Sequence, residues 1–166
     1  MDDFLKELSA GLPDTSEIAR VAIRLIAAAL LSAVIGIQRQ RSGKAAGLRT
    51  HMLVALGSAL FVVASLQFGM SSSDLSRVIQ GLATGIGFIG GGAILKLSRE
   101  REITGLTTAA SIWLTAAVGV AVGMGRWGSA ALSVALTWII LAVIGEIEYR
   151  SEKRQKLKAK DTSNED

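Results

Sequence analysis

Four groups of residues in this chain have types and spacing that could do chemistry. The first is glycine. Gly85-Ile-Gly87-Phe-Ile-Gly90 spells the G-x-G-x-x-G pattern of dinucleotide binding, in which glycines let the backbone approach a pyrophosphate at the head of a helix. That motif needs a preceding strand in a soluble βαβ unit, whereas here it lies inside the chargeless apolar run from Val78 to Leu95, so the nucleotide reading is set aside. Small residues recur four apart at Gly81/Gly85 and Gly87/Gly91, the spacing that brings membrane helices backbone to backbone. Gly90, Gly91 and Gly92 are consecutive, and each costs about 1 kcal/mol of helix propensity relative to alanine. Such a run can unwind and offer carbonyls to an ion as a pore element, or serve close packing alone.

The second group comes from an internal match. At an offset of 58, Gly47-Leu48-Arg49-Thr50 overlies Gly105-Leu106-Thr107-Thr108, and Ser32-Ala33 overlies Gly90-Gly91. Each copy reads as a helix, a basic loop, a glycine-led entry and a returning helix, which makes a parallel repeat. Thr50 and Thr107 or Thr108 are suited to cap the returning helices. With Arg49 and His51 they would gather partial and full positive charge, either as a cytoplasmic contact or anion pocket or simply as caps and topology charges. The third group is Asp74 with Arg77 three residues on, which could form an outer cation site, although one aspartate is thin for magnesium and a helix cap or an ion pair serves as well. The fourth is His51, the lone histidine of a chain without cysteine. It has no partner for nucleophilic or metal chemistry, so no enzyme activity is expected.

The elements that carry these residues are membrane helices. Half of the 166 residues are hydrophobic and only one is proline, a composition unlike that of an ordinary soluble domain. About 20 apolar residues cross a bilayer, and five windows qualify, approximately 18–37, 50–69, 78–97, 107–124 and 128–147. Residues 1–17 form a polar segment without the basic start and apolar core of a cleavable signal, and 148–166 form a charged tail. Thirteen of the 18 basic residues fall in the first loop, the third loop and the tail. The positive-inside rule places that side in the cytoplasm and the N-terminus outside. This asymmetry accounts for a sequence pI of 9.8 without nucleic acid, for which the tail offers only Tyr149 to stack on bases. Trp127 and Tyr149 fall at span ends as anchors, Trp113 and Trp138 are expected to pack inside, and Arg24 to snorkel to the outer headgroups. No carboxylate lies within a span, which disfavours ion relays, and the hydroxyls of Ser58, Ser65, Thr84, Ser111 and Thr115 are expected to bond backbone or a neighbouring helix.

The stretches Ile35-Gly-Ile-Gln-Arg-Gln40, Gly47-Leu-Arg-Thr-His-Met-Leu-Val-Ala-Leu-Gly57, Arg77 to Leu95 and Gly105-Leu-Thr-Thr-Ala-Ala-Ser-Ile-Trp113 together resemble the MgtC/SapB family over residues 18–147. The resemblance implies a five-span bacterial inner-membrane protein whose relatives are linked to magnesium limitation, acid stress and survival in host cells. Some of those relatives bind other membrane proteins, the ATP synthase among them. Two departures stand out. Where the family usually carries acidic residues as G-L-E-R-E, this chain has Gln38 and Gln40 around Arg39, which removes the carboxylates on which cation chemistry would rest. The short tail resembles the SapB/YhiD-like branch, without the folded C-terminal domain of longer members.

The expectation is therefore an all-α membrane protein of five transmembrane helices, two parallel-repeat hairpins plus a fifth, with the glycine run of the third helix at the centre of the bundle. It is expected to sit in the lipid bilayer, to form a homo-oligomer or join a membrane-protein partner, and to bind no nucleic acid. No cofactor is expected beyond a weak association with Mg2+. The function implied is regulation or interaction in magnesium and ion homeostasis and stress adaptation, and the alternative is a transporter or channel for a cation or small solute.

Overall fold

A computed structural model describes residues 14–94 and 104–147. These residues fold into five helices and no strand: α1 (Thr15–Arg41), α2 (Leu48–Gln67), α3 (Ser72–Ile94), α4 (Leu106–Gly123) and α5 (Trp127–Ile139), the last continuing through a π-helical turn at Ile140–Ile144. Residues 95–103 and most of the N-terminal segment and tail lie outside the described residues, including Tyr149 and the basic residues of the third loop and tail.

The three described turns follow one design. Gly43, Gly69 and Gly125 each take a positive φ, and each donates its N–H three residues back, to Gln40, Leu66 and Val122. The next residue reaches five back, from Lys44 to Arg39, Met70 to Ser65 and Arg126 to Ala121. This is the Schellman stop, in which a left-handed residue closes the last carbonyls of a helix and glycine takes that conformation without strain. Short turns make sequential helices antiparallel neighbours.

α4 is the hub, touching each of the other four helices. Its middle meets α2 with no room for side chains between them. A Cβ on Gly119 would lie 2.9 Å from Ala55 Cα and Ser58 Cβ, and one on Gly123 would lie 2.9 Å from Ala59 O and Val62 Cβ. The backbone contact expected of Gly81/Gly85 and Gly87/Gly91 is thus made by Gly119 and Gly123. On α3, a Cβ at Gly81, Gly85, Gly87, Gly91 or Gly92 meets nothing within 4 Å, and at Gly90 it meets only Ala109, at 3.6 Å or more. α3 runs as unbroken α-helix through Gly90–Gly92 and lies at the periphery, with only Leu75, Ile86 and Gly90 buried. The central place expected for the glycine run belongs to α4.

The bundle interior is small and polar and its exterior large and apolar. Ala28, Ile35, Ala55, Ala59, Val118, Val122, Ala130 and Val134 form the main core. Ser32, Ser58, Ser65, Ser111, Thr115 and Thr137 are also buried. As expected for hydroxyls in apolar surroundings, most bond their own helix: Ser32 to Ala29 O, Ser65 to Phe61 O, Thr115 to Ser111 O and Thr137 to Ser133 O. Outward-facing Ile23, Ile26, Leu30, Leu53, Phe61 and Phe88 are exposed, the pattern of helices solvated by lipid. Trp113 and Trp138 belong to this outer surface, about half exposed at 51 % and 47 %, and do not pack inside as the sequence suggested. Four of the five helices are long and apolar enough to cross a membrane; α3, headed by Ser72, Ser73, Asp74 and Arg77 and rich in glycine, is not among them over its described length.

Candidate functional site

One end of the bundle holds a buried arginine and a buried histidine that meet on α4. Here α1 ends, α2 and α4 begin and α5 ends. Gly36 makes the meeting geometric: its Cβ would stand 2.7 Å from Leu48 Cα and 3.2 Å from His51 Cβ. Only a residue without a side chain lets the first turn of α2 lie against α1. His51 is consequently 0 % exposed.

The hydrogen-bond geometry assigns its protons. Nδ1 lies 2.8 Å from Gly47 O, a carbonyl that can only accept, so Nδ1 carries hydrogen. Nε2 lies 3.2 Å from Ser111 Oγ, and the same hydroxyl lies 2.8 Å from Thr108 O. Ser111 has one hydrogen for two acceptors. With a neutral imidazole it serves either.

Arg39 is 3 % exposed. Its Nη2 donates to Thr108 Oγ1 at 3.0 Å, while its buried Nε has no partner. Thr108 and Ser111 stand one turn apart on α4, so the first turn of that helix is fastened to α1 by Arg39 and to α2 by His51. The two glutamines beside Arg39 are also engaged. Gln38 Nε2 donates to Leu141 O at 3.0 Å, inside the π-helical turn of α5, and Gln40 Oε1 accepts from Leu48 N at 3.3 Å. A carboxylate at 38 could not make the first bond, having no hydrogen to give. Gln38 thus tethers α1 to α5. Between α1, the head of α4 and the π-helical turn opens a cavity of about 590 Å³, lined by Gln38, Arg39, Lys44, Thr107, Leu141 and Glu146 among others.

The residues expected to form an anion pocket are only partly together. Thr107 reaches the cavity and Thr108 is buried under Arg39. His51 faces the interior, Thr50 is half-buried and Arg49 is exposed, outside the cavity lining. None of the threonines caps a helix: the N-caps are Gly47 and Gly105, without side-chain bonds. These two glycines are 58 residues apart and both are N-caps, Gly47 extended and Gly105 left-handed. Asp74 is exposed at the other end, where Ser71 Oγ caps α3, accepting from Asp74 N at 3.2 Å and donating to Asp74 Oδ2 at 2.6 Å, a reciprocal pair of the capping-box kind. The capping oxygen is that of Ser71, not of Asp74, and Arg77 is exposed a turn later. At that end too, Arg24 bends inward rather than to headgroups: Nη1 donates to Gly123 O at 2.8 Å, closing a last-turn carbonyl of α4. Among the described residues no three His, Asp or Glu side chains gather as metal ligands.

Sequence reasoning missed Arg39, Gly36 and the Gly119/Gly123 pair. The last was legible as G-V-A-V-G; Arg39 was hidden because an arginine at a helix end reads as a topology charge.

Comparison with known proteins agrees with this architecture. The MgtC family model matches residues 25–150. Protein SrpB of Synechococcus elongatus is 45 % identical over 133 residues, 74 % of this chain and 73 % of SrpB. The "Putative magnesium transporter YhiD" of Escherichia coli K12 is 42 % identical over 140 residues, 80 % of this chain and 64 % of YhiD. Protein MgtC of Salmonella typhimurium LT2 is 40 % identical over 119 residues, 72 % of this chain and 48 % of MgtC. This chain thus spans about half the length of MgtC. No solved structure matches. A matched region that covers most of the chain, together with four helices fit to cross a bilayer, makes this multi-pass membrane protein a member of the MgtC family.

Proposed function

We propose that this chain is a regulatory or interaction protein of a bacterial inner membrane, acting in magnesium and ion homeostasis and in stress or acid adaptation, and that it works through α3. The observation that carries this reading is the open glycine face: Gly81, Gly85, Gly87 and Gly91 have empty space where a Cβ would be, on a helix with few buried residues. Close-packed small residues elsewhere in the chain are already used, at Gly36, Gly119 and Gly123. A helix that keeps such a face free within its own fold suits contact with a second membrane helix. That helix belongs to another copy of this chain or to a membrane-protein partner. The termini follow the charge bias, N-terminus outside and C-terminus in the cytoplasm. The test is crosslinking and partner pull-down in membranes with Gly85→Leu and Gly91→Leu. Loss of either association supports the reading; both unchanged in protein that inserts normally would sink it.

A second reading is transport of a cation or small solute, favoured by the cavity that runs up to buried Arg39 and by the name that YhiD carries. Against it stands the tight α2–α4 contact at Gly119 and Gly123. Purified protein in liposomes with magnesium-, proton- and potassium-sensitive dyes decides: flux dependent on the protein establishes transport, and no flux under any gradient removes it.

A further inference from the structure

The cavity at the basic end combines three features that single out a ligand class. First, Arg39 is almost wholly buried yet its Nε has no partner, and among the described residues its only bond is to a neutral hydroxyl, Thr108. A buried guanidinium bonded only to a neutral hydroxyl is costly, and an anion taken into the cavity would relieve it. Second, the head of α4 opens on the same space. The first N–H groups of a helix lack intrahelical acceptors, Gly105 supplies no side-chain cap, and Thr107 lines the cavity. Third, Lys44 lines it as well, held beside the arginine because the turn bonds Lys44 N to Arg39 O at 3.1 Å. A guanidinium, an ammonium and a helix N-terminus converging on one space is oxyanion chemistry.

Glu146 also lines the space, so the site is not uniformly cationic. The remaining wall is Ile140, Leu141 and Ile144 of α5, apolar and continuous with the outer face, where Ile140 and Ile144 are about half exposed.

We propose that this cavity is a binding site for a phosphate oxyanion, either inorganic phosphate or the headgroup of an anionic glycerophospholipid. Arg39, Lys44 and the amides at the head of α4 hold the phosphate oxygens. Charge-assisted bonds of this kind make Lys44→Gln weaken binding about tenfold. Arg49→Gln, at the same end but outside the cavity, leaves binding unchanged.

The experiment uses the full chain in two arms: calorimetric titration with inorganic phosphate in detergent, and native mass spectrometry from nanodiscs of phosphatidylglycerol or phosphatidylcholine. Saturable phosphate binding weakened by Lys44→Gln identifies free phosphate as the source. No phosphate binding, with phosphatidylglycerol retained over phosphatidylcholine and lost in Lys44→Gln, identifies lipid. Because Arg39 also holds Thr108, Arg39→Gln can unfold the chain, so the decision rests on exposed Lys44. The proposal is overturned if neither probe binds, if Lys44→Gln binds like the parent, or if Arg49→Gln weakens binding as much as Lys44→Gln does.

Discussion

Replacing Gly119 by alanine adds one methyl group where α2 and α4 are closest. The new Cβ would stand 2.9 Å from Ala55 Cα and from Ser58 Cβ, and nearer still to the Ala55 carbonyl oxygen. Ordinary contact between such atoms begins near 3.5 Å. Two of the three obstacles are backbone, so no rotamer change relieves the clash; the helices must separate, and the same separation loosens Val62 against Gly123. Overpacking a tight interior costs about 1–3 kcal/mol, and a backbone clash belongs at the upper end. For a chain of this size, about 3 kcal/mol corresponds to a fall of roughly 6–12 °C in Tm. The matching control is Gly85→Ala, where the methyl enters open space and improves helix propensity by up to about 1 kcal/mol. Thermal unfolding of both variants in detergent, followed by size exclusion, makes the comparison. A Gly119→Ala protein as stable as the parent, or a Gly85→Ala protein destabilised as much, would refute the assignment of the packing seam to α4.

Other substitutions probe the remaining fastenings. His51→Ala removes a fully buried ring and leaves Gly47 O and Ser111 Oγ without it; a loss of about 2–4 kcal/mol is expected, read as early unfolding in the same assay. Ser71→Ala breaks the capping box with Asp74 and should cost about 0.5–2 kcal/mol, visible as faster proteolysis at the head of α3 with the rest of the bundle unaffected. Arg24→Met keeps the apolar stem but loses the bond to Gly123 O, and about 1 kcal/mol of stability with it; a drop independent of salt separates this bond from a headgroup contact.

The number of the helices was legible because length and apolar composition decide it, and the offset of 58 falls on two N-cap glycines, Gly47 in extended and Gly105 in left-handed conformation. The identity of the caps was not. Threonine caps by a side-chain oxygen, but here the glycine one or more residues earlier already turns the chain, and Thr108 is drawn inward by Arg39. Glycine spacing was legible as a packing signal but not in its assignment, since G-x-x-x-G on α4 and the glycines of α3 look alike until one is seen against Ala55 and the other against nothing. The cavity was least legible. It joins residues from α1, the following turn, α4 and α5, and its form depends on a π-helical turn that no local pattern announces.

These fastenings are distributed unevenly, and the unevenness bears on function. α4 is bound to α1 at both ends, by Arg39 to Thr108 and by Arg24 to Gly123 O, to α2 by His51 and the Gly119/Gly123 seam, and α5 is bound to α1 by Gln38. Each of these links ties helices among α1, α2, α4 and α5. α3 has no polar bond to another helix among the described residues; it rests on α4 through Ile86 and Gly90, and its last turn, Ala93 and Ile94, lies against Gly105. A helix held by apolar packing, with its glycine face open, can meet a partner without breaking the polar links among the other four, whereas a solute path between α2 and α4 would have to part the contact at Gly119 and Gly123.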